Sequence, residues 1–155
     1  MRTKNCLVLL VLLIFTACTS SAAPVNGELQ DEELLRTLEM VTESAKKHDA
    51  EGARELLAYS KHPDYLIRIR AIKALSEDFY RGDDSAYAAL VTALDDDYWL
   101  VRAFAARGLG KDDRQEVQGA LTRRLKVEDN ERVVRHLQKA LDKVNAKHPL
   151  PNGGF

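Results

Sequence analysis

Cysteine is nearly absent: the chain has two, Cys6 and Cys18, both within its first eighteen residues. No disulfide is available to the rest, whose fold must rest on apolar burial, and a chain of 155 residues can supply that. Aromatic residues make up only 6%, with one tryptophan, and there are four prolines and eight glycines. This scarcity argues against a β sandwich and a long disordered chain, and it favours helices. Neither sign of charge dominates, with 23 Lys and Arg against 24 Asp and Glu and a net charge of −1. The positive footprint of a general nucleic-acid binder is missing. Hydrophobic residues at 45% and charged residues at 30% fit one domain with a core.

The first residues read as an address. Arg2 and Lys4 precede an unbroken apolar run, Leu7 to Phe15, of nine residues, about half of the roughly 20 that a helix needs to cross a bilayer. This is the pattern of a signal-peptide core, expected over residues 1–17. The segment Ile14-Phe15-Thr16-Ala17-Cys18 resembles the bacterial lipobox, which implies lipidation of Cys18 and a membrane anchor in the cell envelope. Phe15 stands where that motif usually has Leu. The sequence also admits ordinary secretion to the periplasm, with a cut at Ser21-Ala22-Ala23 and loss of Cys18. Either route removes Arg2 and Lys4. Residues 18–27, small, polar and broken by Pro24, are expected to be a flexible tether.

Beyond the tether the sequence repeats. Ile67-Arg68-Ile69-Arg70-Ala71-Ile72-Lys73-Ala74-Leu75 is matched 34 residues on by Val101-Arg102-Ala103-Phe104-Ala105-Ala106-Arg107-Gly108-Leu109. A third copy, Val133 to Leu141, follows after 32 residues and has Val134 in place of the arginine. A polar turn precedes each copy, namely His62-Pro63-Asp64, Asp95-Asp96-Asp97 and Glu128-Asp129-Asn130, rich in residues that cap helix starts. Between the copies, Asp49–Ser60, Asp84–Leu94 and Asp113–Val127 carry apolar residues three and four apart, each opened by an Asp at a plausible N-cap. Leu34, Leu35, Leu38, Val41 and Ala45 predict one further helix ahead of them, with an acidic start at Asp31-Glu32-Glu33.

The Asp-rich turn, the aliphatic-Arg pair and the spaced Ala-Leu ending are similar to the short HEAT-like variety of HEAT repeats, over about Asp49 to Val144. Asp97, Val101, Arg102, Ala105, Gly108, Leu109 and Gly110 carry the likeness best. The resemblance implies an all-α fold, an α-solenoid of about three helical hairpins with an N-terminal capping helix, over residues 28–146. It also implies that Arg68, Arg102, Asp64 and Asp97 are framework residues tying neighbouring hairpins. Residues 147–155 are expected to be a disordered tail. Some HEAT-like relatives take part in attaching bilins, which keeps a lyase-related enzyme as an alternative. No cysteine remains beyond the export signal to serve that chemistry.

At 100° per residue, Ile67, Ala71, Ala74 and Leu75, with Val101, Ala105, Gly108 and Leu109, and Val133, Leu137, Ala140 and Leu141, share one face. These are the expected core positions, and the small ones permit close helix approach. The opposite face carries Ile69 and Lys73, Ala103 and Arg107, and Arg135 and Lys139. Lys73, Arg107 and Lys139 fall in register there, edged by Arg70, Phe104 and His136. The resemblance places second helices on the concave side of a solenoid, hence a basic stripe expected to bind an acidic peptide segment or another envelope protein. The competing reading is a solvated helix face. Tyr98 and Trp99, an adjacent aromatic pair, are either a partner anchor or core packing.

Catalytic signatures are missing. His48, His62, His136 and His148 are scattered, with no His-Glu-x-x-His, Gly-x-Ser-x-Gly or phosphate loop near them. The acidic runs lack the spacing and glycine of a calcium loop. No catalytic residue, metal, cofactor, nucleic acid or small-molecule substrate is assigned. The expected role is a membrane-tethered binding scaffold of the bacterial envelope, the alternatives being the enzyme-associated factor above and a purely structural component.

Overall fold

Side-chain acceptors start four of the described helices, whereas those beginning at Trp99 and Glu116 have none. In the computed structural model, which describes residues 26–77 and 80–148, seven α-helices and no strand are present among the described residues. They are α1 (Asn26–Lys47), α2 (Ala50–Tyr59), α3 (Tyr65–Leu75), α4 (Asp84–Ala93), α5 (Trp99–Leu109), α6 (Glu116–Leu125) and α7 (Glu131–Lys147). The chain is all-α. Asp49, Asp64 and Asp83 accept from the N–H groups of Gly52, Leu66 and Ala86, and Asn130 accepts from those of Arg132 and Val133.

Three of the expected caps differ: the Asp95-Asp96-Asp97 turn gives α5 no side-chain cap, its N-cap being Tyr98. Asp83, rather than Asp84, caps α4, and Asp84 lies in the first turn. Asp113 does not open a helix, because its carboxylate is taken by Lys147 Nζ at 2.6 Å. The carboxylate of Asp112 shapes that turn instead, accepting from the N–H and the guanidinium of Arg114, and α6 begins only at Glu116.

Helix limits differ at both ends. Because α1 begins at Asn26, the last two residues of the expected tether are helical. At the other end α7 runs through Lys147, where Nζ reaches the Lys111 carbonyl and Asp113, and the His148 ring N–H donates to the Asp113 carbonyl. Residues 147 and 148 are therefore held in place. The signal segment, Cys18, the tether up to residue 25, the Ser21-Ala22-Ala23 site and residues 149–155 lie outside the described residues.

The chain divides into two units, Met1–Leu34 and Leu35–Phe155. Of the first, only the start of α1 is described. Within the second, α5 is the central element and packs against α3, α4, α6 and α7, while α2 packs on α3 and α6 on α7. Of the expected core residues, Leu141 alone is half-buried and the others are buried. Each fully buried Leu or Ile, such as Ile67, Leu109, Leu121 and Leu137, contributes on the order of 1.5–3 kcal/mol.

Ala103 is a correction. It was expected on the open face with Arg107, yet only 2% of it is exposed. Neighbours on four sides cover the back of α5 as well as its front, a crowding that a single-helix wheel does not represent. Two glycines make that crowding feasible. A methyl group on Gly108 would fall 2.6 Å from Ser76 Cβ, and one on Gly110 would fall 2.9 Å from Ala140 Cα in α7. At Gly110 the chain meets the α7 backbone, and at Gly108 the Ser76 and Leu90 side chains, at separations that leave no room for a methyl group.

Candidate functional site

Charge on this molecule is of two kinds, paired and unpaired, and the paired kind recurs at the spacing of the sequence copies. Arg68 Nε and Nη2 donate to both oxygens of Asp96 at 2.7 and 2.8 Å, while Nη1 donates to the carbonyls of His62 and Pro63. Arg102 repeats this one copy later. It grips Glu128 through two bonds of 2.8 Å and donates to the carbonyls of Asp96 and Asp97. Each planar guanidinium thus fastens its own turn to the next one, a geometry suited to bidentate carboxylate binding. Burial would raise the Glu128 carboxyl, but hydrogen bonds from Arg102, the Asn130 N–H and Arg124 outweigh it and hold the group at about 2.

The expected framework arginines are therefore structural, but their acidic partners are Asp96 and Glu128. Asp64 is a helix cap and Asp97 offers only its carbonyl. His62 Nδ1, Asp96 Oδ1 and Glu128 Oε1 each accept the N–H two residues on, at the same repeat spacing. A histidine serves in the first turn, where no preceding arginine arrives. The third copy has Val134 and sends no such arm onward. At the opposite helix ends, Lys111 Nζ donates to the Ser76 carbonyl and Lys147 Nζ to the Lys111 carbonyl, each 3.0 Å long. These cations sit at the negative ends of the preceding helices.

Cations without an ion pair are spread over the surface, Lys61, Lys73 and Lys126 among them, but one group of them shares a recess. Arg107, near the end of α5, lines an open recess of about 320 Å³ with His136, Lys139, Ala140, Asp142 and Lys143 of α7. The four basic side chains are exposed, and none forms an ion pair with a described carboxylate, Asp142 on the recess wall included. His136 registers the result. Burial, then the charges of Lys139, Arg107 and Arg135, hold its imidazole below the ordinary 6.5.

Three of the expected stripe residues, Arg107, His136 and Lys139, thus come together, with Arg135 close enough to act on the histidine. Lys73 is exposed on the last turn of α3 and is not part of the recess lining. Arg70 turns toward α1, donating to Thr42 Oγ1 at 3.4 Å beside a separate recess with Leu35, Leu38, Glu39 and Glu43. Phe104 is half-buried against the core. Tyr98 stacks on Tyr65 at 4.0 Å between ring centres, and Trp99 packs on the core with Arg132 5.2 Å over its ring. Sequence reasoning missed Lys143, although its position four residues after Lys139 puts it on the same helix face.

Among the described residues, no three His, Cys, Asp or Glu side chains converge to hold a metal ion, and no helix is long and apolar enough to cross a membrane. The chain matches no protein-family model and no curated protein sequence.

Proposed function

We propose that the chain is a HEAT-like solenoid that works as a binding scaffold in the bacterial envelope, tethered through a lipid on Cys18, and that it holds an acidic segment of a partner protein in the α5–α7 recess. The observation that carries this reading is the contrast in charge pairing. Arg68, Arg102, Arg114, Arg124 and Lys147 are satisfied by carboxylates or carbonyls of the fold, whereas Arg107, Lys139 and Lys143 share one recess without acidic partners. Unpaired like charges repel one another, and an anionic segment would relieve that repulsion. The solenoid reading is supported by the two arginine arms of equal design and by the packing of α3 on α5 and α5 on α7.

Anisotropy of a fluorescently labelled hexaglutamate peptide tests the reading. Binding to the full chain is expected at low ionic strength and should weaken as salt shortens the screening length to about 8 Å near 0.15 M. The triple variant Arg107→Glu, Lys139→Glu, Lys143→Glu should lose binding while keeping its helical circular dichroism. Equal binding by the variant and the parent would overturn the reading.

A further inference from the structure

We propose that docking of an acidic segment in the α5–α7 recess is coupled to proton uptake by His136, so that the site holds its partner more tightly as the surroundings acidify. The inference rests on the proposed acidic-segment reading and adds a regulator to it. His136 shares the recess with Arg107 across from it on α5 and with Lys139 and Lys143 on its own helix, and Arg135 also acts on it. Asp142 is the one acid on the wall. The other helix packed on α7, α6, meets it through the uncharged Gln118–Asn145 hydrogen bond.

In the empty recess, partial burial and then these cations favour the neutral imidazole, as the lowered titration of His136 reflects. A run of carboxylates lying over Arg107, Lys139 and Lys143 reverses the local field and adds acceptors. The imidazolium then offers two N–H donors where the neutral ring offers one. Docking therefore raises the histidine's affinity for a proton, and by linkage the proton raises the affinity for the segment. Affinity is constant above the titration of the occupied site, climbs as pH falls through it, and levels off below that of the empty site. The gain reaches about tenfold for each pH unit separating the two.

Calorimetric titration of the full chain with hexaglutamate, at pH 8.0 and 5.5 and in two buffers of different ionisation heat, tests the coupling. Expected are tighter binding at the lower pH and net proton uptake by the parent. His136→Asn should lose the pH-linked gain and the proton uptake, whatever its affinity at pH 8.0. If the parent binds but takes up no proton, or if His136→Asn keeps the same pH dependence, the coupling is wrong and the acidic-segment reading stands. If the parent fails to bind at either pH, both fall.

Discussion

Replacing Arg102 by Met removes a guanidinium whose side chain is 9% exposed from a carboxylate, Glu128, that is fully buried. Breaking such a pair costs about 3–5 kcal/mol, because the remaining charge is left in a poor solvent. The low end applies here, about 3 kcal/mol, since Arg124 and the Asn130 N–H still hold Glu128. The titration of Glu128, lowered by Arg102 together with the Asn130 N–H and Arg124, sets an upper bound of similar size. A carboxyl held at about 2 against an ordinary 4.5 corresponds to about 3 kcal/mol of stability at neutral pH. Since the folded value is the lower one, this contribution is complete above 4.5 and is lost as pH falls toward 2. Urea unfolding followed by circular dichroism should show Arg102→Met about 3 kcal/mol less stable at pH 7, with the gap narrowing steadily toward pH 3. A loss under about 1 kcal/mol at pH 7, or a gap independent of pH, would refute the reasoning.

Gly110→Ala should cost about 1–3 kcal/mol, because the new methyl meets the α7 backbone at Ala140; unchanged urea unfolding would show that the two helices can separate freely. Lys147→Met should cost about 0.5–1 kcal/mol and speed amide exchange at the end of α7, since Nζ bridges the Lys111 carbonyl and the exposed Asp113. Trp99→Ala should lower stability by about 2 kcal/mol, less than a full core Trp, and leave hexaglutamate binding intact. Loss of binding in a folded Trp99→Ala protein would make the aromatic pair an anchor after all. Metabolic labelling with palmitate should mark the parent and spare Cys18→Ala; equal labelling of the two would remove the lipid anchor.

Helix existence was legible because apolar spacing and capping residues agree along the chain, and Asp49, Asp64 and Asn130 cap as their positions suggest. The arginines of the first two copies were legible as framework, but their partners were not. Asp96 and Glu128 lie 28 and 26 residues away, and only packing shows which acid of a crowded turn faces the guanidinium. Ala103 misled for a related reason: a wheel assigns one buried stripe per helix, and the helix at the centre of a stack has two. In the expected stripe, residue spacing located Arg107, Lys139 and His136 correctly on an exposed surface. Spacing alone gave no sign that Arg70 turns toward α1, because side-chain reach depends on the neighbouring helix.

The most direct test is a nitrogen-15 NMR titration of the chain with hexaglutamate at low salt. Amide shifts centred on Arg107, His136, Lys139 and Lys143 are predicted, with little movement at Tyr65, Tyr98 and Trp99. Shifts centred on that aromatic row, or none anywhere at saturating peptide, would contradict the assignment of the recess as the docking site.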